Sequence, residues 1–173
     1  MTSMAKGKSL IRSLSRRGTG SQKLTAAEGA RGRLREPAAC QRCGAIFSRR
    51  VWRRDRVVTH ALLARAHWVV CPACEQVEHG EYFGRVLVRG GFAAAHEDQI
   101  RARIRSVAAR AAATQPERRL VSVERQGDVL EVLTTSQKLA HRIVHELKKA
   151  FRGRASYTWS DDRTLLATWE RDR

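Results

Sequence analysis

The clearest periodicity lies in the last third of the chain. From Ser136 to Arg152 the apolar positions Leu139, Ala140, Ile143, Val144, Leu147, Ala150 and Phe151 recur at spacings of three and four, the signature of one face of a helix. The opposite arc, about 120° wide, holds Lys138, His141, Arg142, His145, Lys148, Lys149 and Arg152. Thr134 or Thr135 is expected to cap this helix, with Gln137 completing a capping box, and Gly153 to end it. Before it, Leu120 to Arg125 and Val129 to Leu133 alternate around Gly127-Asp128, a hairpin signal. After it, Ala155 to Trp159 and Thr164 to Trp169 predict a second hairpin across Asp161-Asp162. Residues 117–173 therefore read as a small β-β-α-β-β domain.

Upstream, Ile100, Ile104, Val107, Ala108 and Ala111 share one face of a helix expected from Glu97 to Ala113, with Arg101 and Arg105 outside and Pro116 as its stop. It forms a connecting segment, residues 93–116. The β-branched and aromatic run from Tyr82 to Val88 predicts a strand ended by Gly90 and Gly91, assigned to a module spanning residues 40–92. Residues 1–39 offer few large apolar side chains to offset the entropy of ordering, so they read as a disordered basic tail. The fold class is α+β: a basic tail, a four-cysteine zinc-ribbon-like module, a connecting helix and the β-β-α-β-β domain.

Charge adds a partner class. Lys and Arg number 34 against 17 Asp and Glu, a formal net charge of +17. Such an excess suits a polyanion, most commonly nucleic acid, because each phosphate neutralised releases condensed counterions. An anionic membrane surface is the rival, but no run approaches the roughly 18 apolar residues that span a bilayer. The first 25 residues lack acids and are rich in Ser and basic residues, a composition shared by organelle transit peptides and ribosome-binding tails.

All four cysteines fall in two tight pairs, Cys40-Gln-Arg-Cys43-Gly44 and Cys71-Pro-Ala-Cys74. Two thiolates two residues apart grip one metal ion from a single turn, and two such turns complete a tetrahedron. Gly44 suits the positive φ that the first turn needs, and Pro72 fixes the second. One structural zinc is the expected cofactor, with four ligands leaving no position for a catalytic water. A redox pair, an iron–sulfur site and inert thiols are the alternatives; the first would want a thioredoxin-like context and leaves the second pair unexplained. His60, His67 and His79 lie nearby but are not needed as ligands. The pairing of cysteines and the lack of an apolar leader favour a reducing cytoplasm over a secreted disulfide scaffold.

Between the pairs, Arg49, Arg50, Trp52, Arg53, Arg54 and Arg56 interleave an aromatic ring with guanidinium groups, and Asp55 is the sole acid from Cys40 to Cys74. Trp52 stacking on a base with the arginines on phosphates is one reading; a solvated loop with Trp52 in a small core is the other. The basic stripe of the last helix, Lys138, His141, Arg142, His145, Lys148, Lys149 and Arg152, is likewise either an RNA-facing surface or an ordinary solvated face. No P-loop, nucleophile elbow, His-Glu-x-x-His helix or dinucleotide fingerprint occurs, and Ser-Asp-Asp-Arg is ordinary turn chemistry. Neither an enzyme nor a small-molecule substrate is expected.

The segment Cys71-Pro-Ala-Cys-Glu-Gln-Val-Glu-His-Gly-Glu-Tyr-Phe-Gly-Arg-Val-Leu-Val-Arg-Gly90 resembles the last zinc knuckle of the nonsense-mediated-decay protein three family, where a Cys-Pro-x-Cys turn runs through Gly-Tyr-Tyr into a strand ending in Arg. Gly127-Asp-Val-Leu-Glu-Val-Leu-Thr-Thr-Ser-Gln-Lys-Leu-Ala140 is similar to that family's next domain, where a strand passes through small hydroxyl residues into a basic helix. By position, Cys40, Cys43, Cys71 and Cys74 match family zinc ligands. Eukaryotic members bind the large ribosomal subunit and carry it from the nucleus, while archaeal relatives lack the shuttling tail. The resemblance thus implies binding to ribosomal RNA or the large subunit. Larger members have four cysteine pairs where this chain has two, so a short prokaryotic-type member is the expected form. The expected function is a non-enzymatic zinc- and RNA-binding protein. A zinc-ribbon DNA-binding or transcription-associated protein and a protein–protein adaptor are the rival classes.

Overall fold

A computed structural model describes residues 34–54 and 57–173. The expected tail falls mostly outside the described residues, but its boundary at residue 39 cuts a strand. Ala38–Cys40 forms β1, in which all three residues are buried. It pairs antiparallel with β2 (Ile46–Ser48), which pairs antiparallel with β3 (Val51–Arg53). A crossover carrying α1 (His60–Arg65) then returns the chain to β4 (His67–Val69), which lies parallel to β1. Thr59 caps α1, its Oγ1 accepting from the Leu62 amide at 3.2 Å. The result is a four-stranded sheet in the order β3-β2-β1-β4. Strands this short carry no readable period, so the sequence indicated the module without its sheet.

α2 (Pro72–His79) follows with Pro72 in its first turn, and ends at Gly80 with φ 65° and the Glu81 amide donating to the Gln76 carbonyl at 2.9 Å. The chain then enters β5 (Gly84–Arg89). This strand, read from sequence as part of the cysteine module, is the centre of a second, five-stranded sheet in the order β6-β7-β5-β9-β8. It pairs antiparallel with β7 (Val129–Thr134) and parallel with β9 (Leu165–Glu170). The two predicted hairpins, β6 (Leu120–Gln126) with β7 and β8 (Arg154–Trp159) with β9, therefore do not pair with each other. β5 joins them, and a boundary at residue 92 splits the sheet. The run Val86-Leu87-Val88 carries the physical reason, since the middle strand of a sheet, paired along both edges, favours apolar and β-branched residues in succession.

After a short α3 (Gly91–Ala95), α4 (Glu97–Thr114) and α5 (Gln137–Phe151) cover one face of this sheet. α4 buries Ile100, Ile104, Val107, Ala108 and Ala111 as expected, and Ala112 besides. α5 buries Leu139, Ala140, Ile143, Val144 and Leu147, while Ala150 is exposed. Gly84 lets α5 approach, for a Cβ there would lie 2.6 Å from the Ala140 Cβ. Trp169 closes the core, fully buried, with its Nε1 donating to the Arg152 carbonyl at 2.7 Å. On the face away from the helices, Arg85 and Glu131 form a buried ion pair.

The helix cap differs from expectation. The N-cap of α5 is Ser136, whose side chain makes no capping bond. Thr134 Oγ1 instead donates to the Ser136 carbonyl at 2.8 Å, and Thr135 Oγ1 accepts from the Arg119 amide at 2.9 Å. Both threonines are buried among strands, where a hydroxyl left without a partner costs more than an exposed cap returns. Gln137 Nε2 donates to the Arg163 carbonyl at 2.9 Å. At the other end the positive φ begins one residue early, at Arg152 (61°), and continues at Gly153 (86°).

Candidate metal centre and basic surfaces

The parallel pairing of β1 and β4 sets Cys40 opposite Val69, so Cys71 arrives beside Cys40 at the same end of the sheet. The first turn is closed by the Gly44 amide donating to the Cys40 carbonyl at 2.9 Å and the Cys40 amide to the Ala45 carbonyl at 2.8 Å, with Gly44 at φ 70°. The second is the start of α2: Cys71 is its N-cap, and its carbonyl accepts from the amides of Cys74 (3.0 Å) and Glu75 (3.1 Å). The Cys71 amide also donates to Cys40 Sγ at 3.3 Å.

The four sulfurs lie within 4.8 Å of one another, with Cys40 to Cys74 at 3.9 Å and Cys43 to Cys71 at 3.7 Å. A tetrahedron with metal–sulfur bonds of about 2.3 Å has edges of about 3.8 Å, so the cysteines are positioned to bind one metal ion. No disulfide joins them. Burial raises the Cys40 thiol, but the amides of Cys43, Cys71 and Arg42 outweigh it and bring its pKa down to about 6. Burial pushes Cys71 and Cys74 up. Four thiolates at these spacings repel one another strongly, and a divalent cation relieves that repulsion while replacing the protons. Arg42 of the first turn and Glu78 of α2 pair at 2.8 Å outside the cluster. Among the described residues the cluster contains the cysteines alone, and His60, His67 and His79 are exposed.

The arginine-rich run is a hairpin rather than a loop. Ser48 opposes Val51, so Arg49 and Arg50 are the two turn residues between β2 and β3, at φ 52° and 62°. Their amides donate to the two carboxylate oxygens of Glu36, at 2.7 and 3.0 Å. Arg49, Arg50, Arg53 and Arg54 are exposed; Arg56 lies outside the described residues. Trp52 is half-buried, packed on the cysteine cluster and tilted against Phe47 at 5.2 Å, which is its small-core reading. The exposed indole of the module is Trp68 on β4, at 57%.

On α5, Lys138, His141, Arg142, His145, Lys148 and Lys149 are exposed, and Arg152 follows at the C-cap. Glu146, at the margin of the stripe, faces α4 and pairs with Arg103 at 2.8 Å. Lys138, Arg142, Lys148 and Lys149 have no carboxylate partner among the described residues. His141 instead stacks on Tyr157 of β8, with ring centroids 4.8 Å apart. That contact opens a feature absent from the sequence reading. Tyr157 and Trp159 project from β8 to the helix side, and with Gln137, Lys138, His141 and Leu165 they line a cavity of about 600 Å3. The signal lay in Ser156-Tyr-Thr-Trp159, where aromatic and hydroxyl residues alternate beside a basic helix; alternation alone does not tell a buried aromatic face from an open one.

No helix among the described residues is long and apolar enough to cross a membrane. Compared with known proteins, the chain matches no family model, no curated protein and no solved structure at a significant level.

Proposed function

We propose that this chain is a non-enzymatic RNA-binding protein of the cytoplasm, held in shape at one end by a structural zinc ion. Zinc is favoured over other metals because four thiolates at tetrahedral spacing match its ligand preference and complete its shell without an open position. Bound there, the ion supplies cross-linking between β1 and α2 and no reactive site. The observation that carries the RNA reading is the α5 stripe. Lys138, Arg142, Lys148 and Lys149 stand exposed on a well-packed helix with no carboxylate partner among the described residues, the one neighbouring acid, Glu146, being paired with Arg103 of α4. Like charges spaced one turn apart repel, and phosphates laid against them remove that cost. The exposed arginines of the β2–β3 turn give the metal module a basic surface of its own.

The experiment is replacement of Lys138, Arg142, Lys148 and Lys149 by Gln. RNA affinity should fall at least tenfold and its salt dependence should flatten, at nearly unchanged melting temperature, because exposed charges contribute little to folding. Undiminished binding would rule out this face. The choice of ribosomal RNA or the large subunit as target rests on the family resemblance of residues 71–90 and 127–140. It is tested by sedimenting lysate on sucrose gradients at two salt concentrations. Retention with DNA would favour the transcription-associated class, and salt-independent capture of a protein the adaptor.

A further inference from the structure

We infer that the cleft between the first turn of α5 and strand β8 receives an unpaired nucleobase of single-stranded RNA. The inference rests on the RNA reading above and names the form of RNA that this face takes. Trp159 is 64% exposed and Tyr157 39%, although both sit on the helix side of the sheet, where the neighbouring strand β9 buries Ala167 and Leu165. The apolar core thus stops one strand short, and the rings of β8 line an open wall rather than a packed one. The volume of about 600 Å3 is ample for a base between Trp159 and the His141–Tyr157 stack. Leu165 closes the floor. Gln137 is held at the rim by its bond to the Arg163 carbonyl, with its amide oxygen left as an acceptor for a base edge.

Charge selects among flat aromatic occupants. Lys138 is part of the cleft wall, and Arg142, His145 and Lys149 continue from it along α5 at roughly one helical turn, about 5.4 Å, per step. A chain whose base enters the cleft therefore runs its phosphates along the stripe. A ring surface beside a cationic track is how proteins hold single strands without reading sequence, since every base has a π-face. A duplex keeps its bases stacked inside and meets only the stripe. The cleft predicts a preference for single strands that the stripe alone does not.

The test compares an unpaired uridine dodecamer with a duplex of equal length, using the full zinc-loaded chain, Trp159→Ala, Tyr157→Ala and Trp159→Phe. Each alanine variant should lose about 5- to 150-fold in affinity for the single strand, with little change for the duplex and an unchanged salt slope, since a ring neutralises no phosphate. Trp159→Phe should recover most of the loss. Single-strand affinity that survives both alanine substitutions overturns the cleft while leaving the RNA function standing. Equal losses on single strand and duplex overturn it as well, because the rings would then be shaping the stripe. So does a dimer that Trp159→Ala dissolves, as β8 would then be pairing with a second copy along its open edge. A wild-type chain that binds neither RNA overturns both readings.

Discussion

Replacing Arg49-Arg50 by Asn-Gly should stabilise the protein and weaken the proposed RNA binding at once. Both residues occupy the left-handed region, at φ 52° and 62°, where an ordinary side chain costs about 1–2 kcal/mol. Two-residue hairpin turns with both central φ values positive favour Asn-Gly for that reason. Asn keeps part of that cost and Gly returns about 0.5–1 kcal/mol to the unfolded chain as entropy, so the net gain is about 1–2 kcal/mol. The Glu36 carboxylate holds this turn through backbone amides, and that contact survives the substitution. For a chain of this size the gain corresponds to about 2–8 °C in Tm, read by thermal unfolding of the metal-loaded protein. The two lost cations should reduce the salt slope of RNA binding by about 2 if both meet phosphate. A melting temperature that stays or falls would show that the arginine side chains support the fold, and would refute the argument that their charge is kept at the expense of the turn.

On the proposed zinc site, elemental analysis should read about one zinc per chain for the wild type and none for Cys71→Ser, whose melting temperature should fall because one of the four thiolates that tie β1 to α2 through the metal is lost. Ile143→Ala or Leu147→Ala should cost about 2–5 kcal/mol in denaturant unfolding with RNA affinity unchanged in the folded protein, since both are buried beneath the stripe. Asp162 should add stability that fades in acid. Burial raises its carboxyl, but donors from Ser160 and Thr164 outweigh it and hold it below the usual range, so its contribution is full above the unfolded carboxylate value near ~4 and is lost as pH falls through the folded one. The wild type and Asp162→Asn should therefore differ at neutral pH and converge in acid melts.

What was legible in the sequence was local. The faces of α4 and α5 followed from spacings of three and four, both hairpins from alternation around short turns, and the sulfur cluster from two paired spacings. What was not legible needed partners far along the chain. β5 pairs with residues 129–134 and 165–170, and no pattern within Gly84–Arg89 says which strands will flank it. The exposure of Trp52 and of Trp159 was not legible for the same reason. Trp52, amid arginines, is covered because the cysteine cluster lies against it, whereas Trp159, on a strand patterned like a core strand, is bare because the sheet ends there.

The position of β5 sets an order of events during synthesis. It leaves the ribosome directly after the second metal turn, yet one of its two edges stays unpaired until Leu165–Glu170 has emerged. Through that interval Val86-Leu87-Val88 is an apolar strand with open backbone groups, the kind of segment that invites pairing with other chains. The β6–β7 hairpin can shelter only the edge of β5 that pairs with β7. A nascent chain stalled before β9 should therefore be aggregation-prone even when its metal site is already complete, and a chaperone or the ribosomal surface would have its most useful contact at that edge.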